Sequence, residues 1–119
     1  MKLLFLFLSI ILCTACSGKE VFSTTWNTSN PLEELTWLNQ IKTSFEQSGT
    51  SVKREIYQYN YQGSTVFLVD DCARNCSDAL QIVYNCREQE ICEFGGIAGV
   101  NTCPNFYEKA TNKIILYEN

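Results

Sequence analysis

The 119-residue chain contains no histidine, and this absence excludes several classes of site. Without histidine there is no Ser-His-Asp or Cys-His catalytic pair, no histidine-ligated metal centre and no imidazole pH switch. Basic residues are also scarce, since the chain has nine lysines and arginines but thirteen acidic residues. Phosphate binding requires a basic stripe, so nucleic acid is not an expected partner.

The first sixteen residues resemble an export and lipidation signal. After Lys2, residues 3–12 are uncharged and mostly apolar, a length that suits a signal peptide but not the about 20 residues of a membrane-spanning helix. The segment Leu12-Cys13-Thr14-Ala15-Cys16 resembles a bacterial lipobox, with Cys13 where leucine is usual. We predict that residues 1–15 are a lipoprotein signal peptide and that Cys16 is acylated. An ordinary signal peptide is the alternative.

The mature chain divides into a tether and one small domain. Residues 16–30 are rich in serine and threonine and are expected to form a flexible tether behind acylated Cys16. Residues 31–119 are enough for one thin core. The residue after Cys16 is Ser17 rather than the aspartate that resembles an inner-membrane retention signal. We therefore predict a lipid-anchored protein of the bacterial cell envelope, in the outer membrane. Both the periplasmic face and the surface face of that membrane are left open as its location.

The pattern of apolar residues predicts an α+β domain. Asn30 and Pro31 suit the start of a helix, Ser48-Gly49 suits its end, and an apolar stripe recurs between them at helical spacing. Alternating segments then predict strands at residues 55–61, 64–70, 80–86, 91–94 and 113–117. The expected fold is one N-terminal amphipathic helix packed on a mostly antiparallel sheet of four or five strands, stapled by disulfides.

Alternation along the first hairpin divides its apolar residues between two faces. If Gln62-Gly63 is a two-residue loop, one face carries the residues Tyr57, Tyr59, Val66 and Leu68. We expect this face to pack on the helix, with a stacking platform for sugars or bases as the alternative. The other face carries Ile56, Phe67 and Val69. These three are predicted to form a small exposed patch and are the first candidates for a partner contact.

Five cysteines remain after signal cleavage and acylation: Cys72, Cys76, Cys86, Cys92 and Cys103. An exported protein favours disulfides, and an odd count predicts two bridges and one leftover thiol, with fifteen possible arrangements. We predict that the free thiol is Cys86, which alternation places on an apolar face. The remaining four cysteines are the disulfide candidates, and the pairing among them is left open. The alternative is that these four cysteines bind a zinc ion.

The functional prediction is a non-enzymatic binding module with no cofactor and no metal. A glycine-rich loop at residues 95–102 is a second candidate partner contact, through Gly95, Gly96 and Ile97. The partner is expected to be an unidentified envelope or extracellular protein. One alternative is a hydrolase inhibitor that presents this loop.

Carboxylates suggest two different functions. A small enzyme could use Asp70, Asp71 and Glu93, provided that at least two of them converge in a pocket. Asp70, Asp71 and Asp78 could instead bind calcium, although their spacing is not that of an EF-hand.

Several motifs together resemble an uncharacterised family of small Bacteroidetes lipoproteins. The most specific are Ile91-Cys92, Gly95-Gly96 and Cys103-Pro104-Asn105-Phe106, in addition to the lipobox. The resemblance implies a glycine in the second hairpin turn, whereas this chain has Arg87-Glu88-Gln89-Glu90 there. It also implies that the residue at position 86 need not be a cysteine. It supports the location and the architecture but implies no activity.

Overall fold

The computed structural model describes residues 30–74, 76 and 78–119, so the predicted signal peptide and Cys16 lie outside the described residues. No helix in this part of the chain is long and apolar enough to cross a membrane. The elements in chain order are α1 (Pro31–Glu34), α2 (Thr36–Gln47), β1 (Glu55–Tyr61), β2 (Ser64–Asp70), β3 (Leu80–Tyr84), β4 (Glu90–Gly95), β5 (Val100–Asn101), α3 (Phe106–Lys109) and β6 (Thr111–Glu118).

The helical segment is interrupted once, at Leu35. Leu35 has extended dihedral angles, with φ −98° and ψ 101°, and therefore separates α1 from α2. Its amide still bonds to the carbonyl of Pro31 at 2.9 Å, and its own carbonyl accepts the Asn39 amide at 3.0 Å. The break lets Leu35 contact the apolar cluster under α2. Gly49, with φ 79°, follows the end of the helix as predicted.

All six strands form one antiparallel sheet in the order β5-β4-β3-β2-β1-β6. The α+β class is confirmed, but the predicted count of four or five strands is too low. The additional strand is β5, which pairs with β4 through Phe94–Asn101 and Gly95–Val100. The strand β5 is only two residues long and follows a run of glycines. A segment this short has no alternating pattern, so the sequence could not reveal it.

The first hairpin has the predicted register. Gln62 and Gly63 both have positive φ angles, 51° and 78°, as a two-residue type I′ turn requires. Tyr61 therefore lies opposite Ser64, and Tyr59 lies opposite Val66. The division of this hairpin into two faces is thus confirmed.

The helix, however, packs on the opposite face from the one predicted. Ile56, Phe67 and Val69 contact the apolar side of α2 in one buried cluster with Leu38 and Phe45. Ile56 and Phe67 are 0% exposed, so the prediction that this face is an exposed partner-binding patch is wrong. Both faces of the hairpin are apolar, and alternation alone does not indicate which of them a helix will cover.

The tyrosine face has a second core beneath α3. Phe106 projects from α3 onto this face, with its ring 4.9 Å from that of Tyr61 and 5.3 Å from that of Tyr59, between centroids. Phe94 of β4 packs beside it at 5.6 Å. Buried Cys103, just before α3, completes the cover. The sheet is therefore packed on both faces, with α2 on one and the segment around α3 on the other.

Candidate functional site: a disulfide-anchored hairpin

The most prominent apolar projection is the tip of the β4–β5 hairpin. The amide of Gly99 donates to the carbonyl of Gly96 at 3.1 Å and closes a tight turn with Ile97 and Ala98 at its tip. Ile97 is 81% exposed, the largest value among the large apolar side chains of the described residues. The glycine-rich loop is therefore an ordered turn that holds an isoleucine in solvent.

Two glycines are required where this hairpin meets β3. Gly95 has φ 104°, and a Cβ atom there would lie 2.8 Å from the carbonyl oxygen of Ala79. At Gly96, whose φ is 77°, a Cβ would lie 3.2 Å from Cδ2 of Leu80. The Gly96 amide donates to the same Ala79 oxygen at 2.9 Å. Gly95 and Gly96, predicted as partner contacts, thus position the hairpin against the sheet.

The base of the hairpin is fixed by hydrogen bonds and by a disulfide. The amide of Thr102 donates to the carbonyl of Glu93 at 2.9 Å, and the Glu93 amide donates to Oγ1 of Thr102 at 2.9 Å. The next pair of residues away from the tip, Cys92 and Cys103, is joined by a disulfide with a Cα–Cα distance of 5.6 Å. Since both cysteines are buried in the tyrosine-face core, the bridge ties the hairpin to the interior.

A second disulfide joins Cys72 and Cys76, with a Cα–Cα distance of 5.9 Å. All four predicted disulfide candidates are therefore paired, and each bridge links cysteines that are close in sequence. Cys86 is also disulfide-bonded in the full-length chain. The prediction of a free thiol at Cys86 concerned the chain after removal of residues 1–15 and acylation of Cys16, and for that form it stays a prediction.

The structure does not bring the predicted carboxylates together. Asp70 and Glu93 lie on opposite faces of the sheet, since Asp70 pairs with Gln81 and Glu93 pairs with the next residue of β3, Ile82. Asp71 is exposed and accepts a hydrogen bond from Nε of Arg54 at 2.8 Å. Among the described residues, no group of three or more acidic or cysteine side chains is arranged to hold a metal ion.

Asp70 instead belongs to a polar network that runs from its buried carboxylate to the surface at Tyr107. Its Oδ1 accepts the amide of Cys72 at 3.1 Å and its Oδ2 accepts Nε2 of Gln81 at 2.6 Å, while Oε1 of Gln81 accepts the Tyr107 hydroxyl at 3.0 Å. Burial raises the pKa of Asp70 above its ordinary value, although these two hydrogen bonds to the carboxylate oppose the shift. Burial also raises the pKa of Tyr107 to about 12.

The raised pKa of Asp70 gives a pH-dependent contribution to stability. Because folded Asp70 holds its proton more tightly than unfolded Asp70, its contribution is fully present below the unfolded pKa of 3.8. The contribution is lost as the pH rises through the folded pKa. We expect urea unfolding midpoints measured from about pH 3 to about pH 7 to fall less steeply in Asp70→Asn than in the wild type. Asp71→Asn is the exposed control, and identical slopes in wild type and Asp70→Asn would contradict this assignment.

An apolar groove of about 400 Å³ lies between α2 and strands β2 and β3. Trp37 and Tyr84 form one side, with their ring centroids 5.5 Å apart, and Nε1 of Trp37 donates to the carbonyl of Cys86 at 3.0 Å. Ile82 also lines the groove. Leu80, two residues earlier on the same face of β3, lies against Gly96 at the start of the hairpin turn. Apolar surface therefore extends from the hairpin across β3 to Trp37.

Sequence reasoning identified the loop of this site but missed the groove. Alternation of Leu80, Ile82 and Tyr84 was visible in the sequence, whereas the groove exists because α2 covers only part of that sheet face. The acidic side chains of Asp71 and Glu88 border the groove. A helix too short to cover a six-stranded sheet would have indicated that part of the sheet face is open. To place the groove, however, the order of the strands must also be known.

Comparison with known proteins gives a family but no activity. No curated protein and no solved structure matches the chain. Residues 42–119 match a family described as a domain of unknown function (DUF6970). The matched segment includes all six strands, both bridged cysteine pairs and the β4–β5 hairpin. The chain therefore belongs to the DUF6970 family, a domain of unknown function.

Proposed function

We propose that this protein is a non-enzymatic binding module that presents Ile97 to a protein partner in the bacterial cell envelope. The observation that carries the proposal is the 81% exposure of Ile97 on an ordered, disulfide-anchored turn. A backbone turn that is already ordered loses little conformational entropy on binding. Burying an isoleucine contributes about 1.5–3 kcal/mol. The hairpin therefore suits the role of an anchor in an interface.

The surface beside the hairpin supports the same role. Leu80, which lies against Gly96, is among the exposed large apolar side chains of the described residues, and the groove beside Tyr84 continues this surface. The border of the groove carries Glu88 and also Asp71, which is paired with Arg54. We therefore infer that the partner presents an apolar centre with a basic rim, since charge complementarity at a rim steers association.

Direct capture tests this interface. We expect Ile97→Asp to weaken retention of the partner from envelope extract by at least about tenfold, because an aspartate cannot occupy an apolar pocket without losing its hydration. Thr43→Asp, on the exposed side of α2, is the matched control for added charge and should retain the partner as the wild type does. A partner retained equally by all three proteins would contradict the proposal.

The anchoring to a membrane rests on the sequence alone. The lipobox-like segment ending at Cys16 supports acylation, and each buried CH₂ of an acyl chain contributes about 0.8 kcal/mol to membrane binding. Ser17 after the acylated position supports the outer membrane. The tether of residues 16–30 would then hold the domain close to that surface.

Metabolic labelling with palmitate tests the anchor. We expect the wild type and Cys13→Leu to be labelled, because Cys13 is removed with the signal peptide, and we expect Cys16→Ala to carry no label. Cys13→Leu is the matched control, since it also removes one cysteine from the same segment. Equal labelling of Cys16→Ala would refute acylation at this residue.

A more specific version of this binding function is inhibition of a hydrolase. The ordered projection of the hairpin favours it, since the tip can enter a cleft. The tight turn offers one large side chain, Ile97, rather than an extended segment. If the captured partner is a hydrolase, stoichiometric loss of its activity with wild type and not with Ile97→Asp would support inhibition. A carboxylate enzyme is less well supported, because Asp70, Asp71 and Glu93 do not converge.

A further inference from the structure

We propose that the Cys72–Cys76 bridge is a thiol–disulfide exchange site that opens while the fold remains intact. The two disulfides between described cysteines differ strongly in accessibility. Cys76 is exposed and Cys72 is half-buried, whereas Cys92 and Cys103 are both buried in the core. An attacking thiolate must approach a sulfur atom along the S–S axis, so access is the first requirement for exchange.

A basic pocket of about 330 Å³ gives this access. Cys72 and Cys76 both line it, together with the side chains of Lys53 and Arg74. Nζ of Lys53 donates to the carbonyl oxygen of Asn119 and lies 3.7 Å from Oε2 of Glu118. The cation that acts on an incoming thiolate is therefore Arg74, an exposed residue. Positive charge attracts an incoming thiolate and stabilises the thiolate that leaves.

A second pocket at this bridge has an acidic lining. Besides the two cysteines it is lined by Asp78 and by Asp71, which is paired with Arg54. Carboxylates repel a thiolate and disfavour attack from that direction. The arrangement of charges therefore selects the pocket of Lys53 and Arg74 as the entry side.

Opening this bridge leaves the surrounding loop attached to the sheet. The amide of Ala73 donates to the carbonyl of Lys53 at 2.8 Å, and the Cys72 amide donates to Oδ1 of Asp70 at 3.1 Å. The bridged residues are four apart in sequence, against eleven for Cys92 and Cys103. Chain-entropy arguments give a shorter loop the smaller stabilisation. The Cys72–Cys76 bridge is thus the dispensable one.

The reductant is a dithiol, either a small molecule or a protein. One thiolate of the dithiol attacks Sγ of Cys76, the more exposed cysteine, and forms a mixed disulfide while Cys72 leaves as a thiolate. The second thiolate of the dithiol then displaces Cys76, so that the dithiol becomes a disulfide. Cys72 and Cys76 take up the two protons that the dithiol loses, and two electrons pass to the protein.

Timed alkylation of the oxidised full-length chain tests this inference. The chain is exposed to dithiothreitol, quenched with iodoacetamide and mapped by mass spectrometry, with Cys92 and Cys103 as the internal control. We expect Cys72 and Cys76 to be alkylated at least about tenfold faster than Cys92 and Cys103. Equal rates, or earlier opening of the Cys92–Cys103 bridge, would overturn the proposal.

Two variants separate the role of charge from a general effect of loosening. Arg74→Glu is expected to slow opening of the Cys72–Cys76 bridge several-fold without changing the rate at Cys92. A Cys72→Ser/Cys76→Ser double variant should keep the far-ultraviolet circular dichroism spectrum of the wild type. Loss of folding in that double variant, or an unchanged rate in Arg74→Glu, counts against the exchange site. Neither result bears on the Ile97 interface.

Discussion

Phe67→Asp is expected to abolish the cooperative unfolding transition of the domain. Phe67 is completely buried in the centre of β2, and its ring lies 5.9 Å from that of Trp37 in an edge-on arrangement. Loss of a buried phenylalanine costs about 3–5 kcal/mol, and an unpaired buried carboxylate costs several kcal/mol more. The sum is comparable with the whole stability of a small domain, about 5–15 kcal/mol.

Urea unfolding followed by circular dichroism checks this prediction. Ser64→Asp is the matched control, since Ser64 is the exposed first residue of the same strand and its replacement should change stability by no more than about 0.5 kcal/mol. If Phe67→Asp unfolded at the urea concentration of the wild type, α2 could not cover this face of the sheet. Phe67 would then have to be an exposed contact residue.

Phe106→Ala is expected to lower the free energy of unfolding by about 3–5 kcal/mol. Phe106 is the common neighbour of the aromatic side chains on the tyrosine face, because its ring contacts those of Tyr59, Tyr61 and Phe94. Its removal leaves a cavity that these rings, fixed on β1 and β4, cannot fill. The same unfolding experiment measures the change.

The control for Phe106→Ala comes from the same turn of helix. Glu108 is exposed, and Glu108→Ala should leave the unfolding free energy within about 0.5 kcal/mol of the wild type. A loss below about 1 kcal/mol in Phe106→Ala would show that α3 does not form the second core. Ile97→Ala is a further comparison, since an exposed isoleucine contributes little to folding.

The sequence predicted those parts of the fold that depend on local backbone chemistry. Gln62-Gly63 defined a two-residue turn, and this turn set the register of β1 and β2. The end of the helix at Gly49 followed from the same kind of argument. Such features are determined by a few adjacent residues and need no knowledge of the rest of the molecule.

The assignment of faces depends on contacts between distant residues and could not be predicted in this way. Ile56 and Tyr57 are adjacent on β1, and both are buried, one under α2 and the other in the tyrosine-face core. An alternating pattern with apolar residues on both sides does not order the two layers. Apolar periodicity could not indicate that Phe106 is a core residue, because α3 is only four residues long.

The candidate site was partly visible in the sequence. The glycine-rich loop is visible in the sequence as a candidate contact, and that role stays a prediction, whereas its glycines Gly95 and Gly96 serve to fit the hairpin against Ala79 and Leu80. The Cys92–Cys103 pairing was also within reach. The β4–β5 register pairs Phe94 with Asn101, and continuing it by two residues on each strand places Cys92 opposite Cys103. Recognition of the turn at Ile97-Ala98 would therefore have selected this bridge.

Site-specific photo-cross-linking tests the central claim, that Ile97 on the bridged hairpin is the contact with a partner. A photoreactive phenylalanine analogue is placed at position 97, and in a separate protein at position 43 on the exposed side of α2. Irradiation of intact cells is expected to give one discrete, light-dependent adduct from position 97 and none from position 43. The absence of an adduct at position 97, or the same adduct from both positions, would contradict the claim.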